Sequence, residues 1–392
     1  MKAVVVSEFY PSRRDPVLGI WAHRQALATR AAGADIQVIV LHRVVPPLAS
    51  LRAGPRAAAA ASAGLVRQSR HDTIDGLPVT YVPFVSPVRS RSYAAWGAWA
   101  APPLRLALRR LRRRFAFDLV HAHNAIPAGD AVRRAHLDVP LVVSVHGGDV
   151  LYTARLSARG SAAVSRALGS AQLVLANSDG IAELAARYGA RETRVVHLGT
   201  DVPERTAART GAPTIVTVAH LVARKRHADV LRAVAVLSSR HPTLRYQIIG
   251  AGPEAQALVA LAQRLGIADR VTFAGQLDPP SALATARRGT LFVMPSTEEA
   301  FGVAYVEAMA AGLPAIGCRG EPGPEEIAAA GDGFVLVPPG DIERLTQRID
   351  ELLSDPHRLR EAGQRARATA LAHFTWEGCG AQTLAAYEHV LR

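Results

Sequence analysis

Residues 201–220 read DVPERTAARTGAPTIVTVAH. Through Pro213 the apolar pattern lapses and two prolines and a glycine appear; from Thr214 it resumes as a short β-rich run. The stretch therefore reads as a linker, 201–213, followed by a fresh start. Upstream lie the β-rich runs KAVVVSEF, DIQVIVLH, PVTYVPF, DLVHAH, LVVSVHG, LVLANS and RVVHLG, separated by helical stretches such as RQALATRAAG and GIAELAARYGA. Downstream the alternation returns with TIVTVAH, RYQIIG, RVTFAG, LFVMPS, PAIGC and GFVLV. Strands that alternate with helices imply parallel sheets with helices on both faces. Two Rossmann-like α/β halves follow, with ligands expected beyond the carboxyl ends of the strands. The Ala-rich piece RAAAAASAG, 56–64, is low in complexity and is expected to be a mobile excursion of the first half.

Composition agrees with two domains, since 392 residues at 49% hydrophobic content suffice for two sizeable cores. Two cysteines, Cys318 and Cys379, cannot make a disulfide framework, and the apolar run in MKAVVVSEFYPS is too short for a signal peptide. The expectation is a cytoplasmic protein. The most apolar candidate for a span, YAAWGAWAAPPLRLAL, is broken by Pro102 and Pro103, so no membrane crossing is expected.

The formal net charge of +13 is concentrated. Between Ile36 and Phe117 thirteen Arg face only Asp72 and Asp75, a balance of +11. Within that segment Leu104, Leu108, Leu111 and Phe115 recur at helical spacing with Arg105, Arg109, Arg112 and Arg113 turned away, and Tyr93, Trp96 and Trp99 stand just upstream. Two readings stay open: a core-packing helix with a solvated basic face, or residues 89–114 docking on an anionic membrane surface. The aromatics do not interleave with the arginines as on a nucleic-acid module, and no nucleic-acid partner is expected.

Candidate chemistry lies after the strands of the second half. In IIGAGPEA the glycines read as a tight strand-to-helix turn, because the third glycine of a dinucleotide fingerprint and its acid are lacking. Lys225, in VAHLVARKRHADVL, is one of two lysines beside forty-four arginines, and a compact ammonium suits a diphosphate contact. PSTEEAFGVAYVEAMAAGLPAI, 295–316, sets Glu299 before a helix and Glu307 within it. Its neighbours are apolar all round, which predicts a buried helix and puts Glu307 in or near the core, where a carboxylate needs a donor-rich partner such as ribose hydroxyls. The amides of Phe301, Gly302 and Val303 at the helix start favour a phosphate or a polar sugar edge, and Glu299 can accept from sugar hydroxyls.

The E-x7-E pattern in EAFGVAYVE, followed by AMAAGLPAI, resembles the signature of the retaining GT-B glycosyltransferases of family 4. FYPSRRDPVLGIWAHRQALA, HAHNAIPAG, SVHGGDV, LANSDGIAELAARYGA, HLVARK, GAGPE, FAGQLDPP and GEPGPEEIAAAGDGFVLVPPGD fall in that family's order, so the resemblance spans nearly the whole chain. It implies two Rossmann-like domains facing across a cleft. The acceptor domain would take residues 1–200, the donor domain 214–373, and FTWEGCGAQTLAAYEHVLR, 374–392, would be the helix that crosses back to the first. It implies that Lys225 binds the donor diphosphate, Glu307 the ribose and Glu299 the sugar ring. Phe301, Gly302 and Val303 would offer backbone contacts, Gly19 would let the first-domain loop approach the phosphates, His146 would face the transferred sugar, and Leu277 would lie near the base. Where the family usually has Arg-Leu, this chain has His220-Leu221, exchanging a permanent cation for a group that titrates near neutrality. Leu198-Gly199-Thr200-Asp201 departs from the family's Asn-Gly-Val-Asp and is assigned no catalytic role.

The sequence has no Asp-x-Asp, so no metal or other cofactor is expected, and phosphate charge falls to Lys225, His220 and the helix amides. With Glu299 assigned to hydroxyl binding, retention would come from front-face attack, the departing phosphate taking the acceptor's proton. The implied partners are a nucleotide sugar, UDP- or GDP-linked, and a lipid-linked or glycan acceptor in cell-envelope or exopolysaccharide assembly, on the inner face of the cytoplasmic membrane. A GT-B sugar-nucleotide epimerase and a catalytically silent sugar-nucleotide-binding protein share these features; turnover of donor without acceptor, or none, separates them.

Overall fold

The computed structural model describes residues 1–12, 15–46, 48–66, 68–206 and 211–392, without the side chains of residues 48, 66, 90 and 91. Residues 207–210 of the expected linker, 13–14 of the FYPSRRDP loop and the side chains of 90 and 91 in the basic segment therefore lie outside the described residues. Contacts divide the chain into two units, Met1–His197 with Cys379–Arg392, and Leu198–Gly378.

In the first unit, the strands are β1 (Lys2–Ser7), β2 (Asp35–Arg43), β3 (His71–Ile74), β4 (Leu77–Phe84), β5 (Leu119–His123), β6 (Leu141–Val145), β7 (Leu173–Ala176) and β8 (Thr193–Val195). They form one sheet in the order β3-β4-β2-β1-β5-β6-β7-β8. All pairings are parallel except β3 with β4. Strands covered on both faces need apolar side chains on both, and Ala3, Val4, Val5 and Val6 of β1 are fully buried. β3 was not expected. It is a short polar edge strand joined to β4 through Asp75 and Gly76, whose φ values of 48° and 76° suit a two-residue hairpin turn.

In the second unit, β9 (Thr214–Val218), β10 (Arg245–Ile249), β11 (Val271–Phe273), β12 (Leu291–Val293), β13 (Ala315–Cys318) and β14 (Phe334–Val337) form a parallel sheet in the order β11-β10-β9-β12-β13-β14. Numbered within the unit this is 3-2-1-4-5-6, the order of the dinucleotide-binding fold, and the direction of winding reverses between β9 and β12. The first sheet reverses likewise between β1 and β5.

The expected excursion at 56–64 is instead part of an α-helix, Pro55–Val66. Alanine has the highest helix propensity, and proline is well placed at the first helical position. The closing helix, Trp376–Leu391, enters the first unit from Cys379 onward. There Gly380 abuts the Ala28 carbonyl, Thr383 accepts from Gln25 at 3.0 Å and the Tyr387 hydroxyl meets His121 Nδ1 at 2.7 Å. Gly199 of the Leu198–Asp201 segment is needed for packing, because a Cβ there would lie 2.2 Å from the Trp376 nitrogen.

Candidate active site

The second unit assembles its polar groups where the winding reverses. The loop after β9 carries Lys225 in a single 3-10 turn, Ala223–Lys225, and the loop after the adjacent β12 carries Glu299. The loops are stitched together by their backbones: Thr297 N–H donates to the Arg224 carbonyl at 2.8 Å. This brings the Lys225 ammonium onto Glu299 Oε2, with both residues more than nine-tenths buried. Ser296 Oγ donates to the same oxygen at 2.9 Å and lies 3.1 Å from the Tyr305 hydroxyl, which in turn donates to the Met294 carbonyl. The backbone of Glu299 is held too, its N–H by Glu321 Oε2 at 2.9 Å and its carbonyl by Gly323 N–H at 3.0 Å. Burial pushes the Glu299 carboxyl up, but the Lys225 charge and hydrogen bond, helped by Arg224 and Ser296, outweigh it and hold the group below the usual carboxylate range.

The helix that follows, Val303–Ala310, starts at Gly302 in the left-handed region, φ 91°. Phe301 is buried and packs edge-on against Phe374 at 5.6 Å, while Gly302 and Val303 are half-buried. The expectation of a helix buried all round is corrected here. Val303, Ala304 and Glu307 share one face and are half-buried, whereas Tyr305, Val306, Ala308, Met309 and Ala310 are buried. Glu307 thus stands on the helix's open side, not in the core, one turn beyond the amides.

His220 is exposed two residues beyond β9, its Nδ1 3.4 Å from the Ala251 carbonyl. Leu277, half-buried, packs against Val216, Ile249 and Ala286. Gly250 and Gly252 of GAGPE admit close backbone approach, since Cβ atoms there would fall 2.0 Å from the Ala219 carbonyl oxygen and 2.4 Å from that of Leu221. The motif is a packed strand-to-helix turn, as the residues suggested.

In the first unit Gly19 begins helix Ile20–Ala31 with φ 69°, and a Cβ would lie 2.1 Å from the Phe9 carbonyl oxygen. The close approach it permits is to the backbone after β1. His146 directly follows β6, half-buried; its ring stacks on His123 at 5.2 Å with Nε2 3.0 Å from His123 Nδ1. Burial lowers the His146 pKa to about 4, so the ring is neutral at pH 7.

A family model for glycosyl transferases group 1 matches residues 200–369, and one for Glycosyltransferase Family 4 matches residues 19–204. A D-inositol 3-phosphate glycosyltransferase of Catenulispora acidiphila is 32% identical over 69% of this chain and 70% of its own length. The chain belongs to the group 1 glycosyltransferases of family 4. A glycogen synthase of Mycobacterium tuberculosis is 27% identical over 99% of the chain and 94% of its own length. Among solved structures, HepE of Anabaena, in complex with UDP and glucose, superposes with a TM-score of 0.73 at 18% identity, covering 98% of this chain and 99% of that one. With the two reversing sheets, parallel but for the β3 edge of the first, that likeness shows the GT-B fold.

In each unit of this glycosyltransferase the sequence leaves several polar residues unmarked. Ser296 and Glu321 hold Glu299 and Tyr305 meets Ser296, yet each looks like ordinary loop, helix or N-cap material in sequence. His123 was legible in principle, because His121 and His123 lie two apart on one strand and so on one face. Asp149, fully buried, accepts from the Ala125 and Ile126 amides at 3.0 and 3.1 Å, and burial raises its pKa to about 6.

Proposed function

We propose that this glycosyltransferase is a retaining, metal-independent enzyme that moves a sugar from a UDP- or GDP-sugar to a lipid-linked or glycan acceptor in cell-envelope or exopolysaccharide assembly. The observation that carries the reading is the buried pairing of Lys225 with Glu299 beside the first amides of helix Val303–Ala310. One of the ammonium's three N–H groups holds Glu299, leaving the others for phosphate oxygens. Nearby the helix start offers oriented N–H groups to the same anion, and Glu307 on the open side of that helix suits the ribose diol. The UDP bound by HepE supports a nucleotide donor.

In this reading the acceptor oxygen bonds to the anomeric carbon as the carbon–oxygen bond to the diphosphate breaks. The acceptor proton passes to the departing phosphate oxygen on the same face. Lys225 and the amides of Phe301, Gly302 and Val303 stabilise the charge that develops there, with His220 at the rim and Leu277 beside the base. Neutral His146 would contribute a hydrogen bond to the sugar, and Gly19 would shape the first-unit loop. Metal independence rests on the lack of Asp-x-Asp and on these cations and amides; EDTA leaving turnover unchanged is the expected result.

The anionic membrane surface is proposed as the place where acceptor is met. Helix Trp96–Arg112 buries Leu104, Leu108 and Leu111 and exposes Trp99 and Leu106 among Arg105, Arg109 and Arg110. A thermal-shift screen across UDP- and GDP-sugars should identify the donor by mass-action stabilisation. With that donor, Glu299→Gln is expected to lower transfer at least a hundredfold; full activity in the variant would remove the assignment, and isomerised donor without acceptor would replace it with an epimerase.

A further inference from the structure

The two carboxylate oxygens of Glu299 are treated differently by the protein. Lys225 Nζ and Ser296 Oγ both donate to Oε2, and among the described residues no donor goes to Oε1. Ser296 is fully buried, so its hydroxyl has no solvent to turn to. Its hydrogen has two acceptors in reach, the Tyr305 hydroxyl oxygen at 3.1 Å and Glu299 Oε2 at 2.9 Å. Tyr305, fully buried as well, has its own acceptors in the Met294 carbonyl and Ser296 Oγ. An ionised carboxylate is the strongest acceptor of the set, so the Ser296 proton goes to Glu299 whichever way the tyrosine points.

Two donors on one oxygen fix the carboxylate plane as well as its position. A single lysine contact would let the carboxylate rotate about its terminal bond, which is a soft torsion. We propose that Ser296 is a positioning residue that confines Glu299 to the rotamer in which Oε1 faces the sugar of the donor, so that recognition of the sugar hydroxyls depends on a serine that never touches them. This rests on the reading that Glu299 grips the transferred sugar. Lys225 alone is the weaker constraint, because in this reading its ammonium is shared between Glu299 and phosphate and sits on a four-carbon stem with many torsions. Ser296 lies three residues past the end of β12, fully buried, with its hydroxyl on a short side chain that has a single rotatable carbon–carbon bond.

The test compares two affinities by calorimetry: the sugar nucleotide giving the largest thermal shift in the UDP and GDP panel, and the nucleoside diphosphate it contains. Ser296→Ala is expected to weaken the sugar nucleotide about tenfold, the cost of one hydrogen bond to a charged group, while changing the diphosphate less than about twofold. Ser296→Thr, which keeps the hydroxyl, is expected to restore the difference. Ser296→Cys, of similar size and a weak donor, should show the same split as alanine and serves if the alanine variant does not fold. Loss of the hydroxyl should also move the acid limb of transfer activity upward in pH, because the ionised form of Glu299 loses a donor. Equal weakening of both ligands, or an unmoved acid limb with full sugar discrimination, overturns the proposal. Glu299→Gln distinguishes the two levels: if it too leaves sugar discrimination intact, the Glu299 reading has failed; if it abolishes discrimination while Ser296→Ala does not, only the role of Ser296 has failed.

Discussion

At Gly302 the backbone takes a φ of 91°, and a Cβ there would lie 2.3 Å from Cδ2 of Tyr305. The left-handed conformation alone disfavours any side chain by ~1–3 kcal/mol, and the clash adds to it because Tyr305 is fully buried and cannot swing away. Gly275, at φ 70° with nothing within 4 Å of its would-be Cβ, isolates the conformational part. Gly302→Ala is therefore expected to lower the urea midpoint more than Gly275→Ala does, and to weaken donor binding because the displaced ring is the Tyr305 that contacts Ser296. Equal midpoints for the two variants would remove the steric argument. Sequence could mark Gly302 as the start of a helix, but not that the ring three residues on forbids a methyl group.

Helix Trp96–Arg112 shows how far periodicity carries. Its buried positions were legible because leucines at i, i+4 and i+7 alternate with arginines, and burial of Leu104, Leu108, Leu111 and Phe115 follows that pattern. Helix Val303–Ala310 was misjudged for the opposite reason: where every residue but one is small or apolar, composition cannot say which face stays open. β3 was missed because HDTI has no apolar alternation, although Asp-Gly after it is a hairpin signal. In Pro55–Val66 the low complexity of the alanines masks an intrinsic preference that favours a helix. For Trp96–Arg112 the open face predicts a behaviour. Arg105, Arg109 and Arg134 line a concavity of about 370 Å³ together with Ala98, Ala101, Pro102 and Leu106, a mixture of cations and apolar groups that suits an anionic lipid surface. Each such Arg contributes ~1 kcal/mol near an anionic bilayer. The protein is expected to sediment with phosphatidylglycerol vesicles at low salt but not with phosphatidylcholine vesicles, and the Arg105→Glu, Arg109→Glu double variant to lose more than about tenfold in partitioning. Wild-type protein left in the supernatant with phosphatidylglycerol would end the membrane reading.

For the whole molecule, acid stability is governed by imidazoles buried in their neutral form. Desolvation lowers the pKa of His121 to about 3, of His146 to about 4 and of His227 to about 4, the first two in one unit and the last in the other. Between those values and the ordinary 6.5 the unfolded chain holds protons that the folded chain does not, so stability rises with pH across that window and is lost as pH falls through it. Asp149 acts in the opposite sense: its folded pKa of about 6 lies above the unfolded value, so the folded chain gains protons first and is favoured as pH falls. Burial of Glu8 and Glu321 adds to that side. Each of these imidazoles excludes a proton that the unfolded chain binds between pH 7 and pH 5, and together with His123 they outnumber the raised carboxyls of Asp149, Glu8 and Glu321, so the histidines prevail. Burial of His123, also lowered by desolvation, strengthens the same trend. Melting temperature is thus expected to fall between pH 7.5 and pH 5, and His227→Gln should shrink that fall in the second unit's transition, because one proton-excluding site is gone. His227 Nε2 meets the His220 carbonyl at 3.2 Å and its Nδ1 lies 3.4 Å from the Tyr246 hydroxyl, polar contacts that a glutamine amide can share without titrating. A pH dependence identical in wild type and variant would show that His227 is not a source of the acid loss, leaving the other buried histidines and the self-repulsion of a chain of net charge +13.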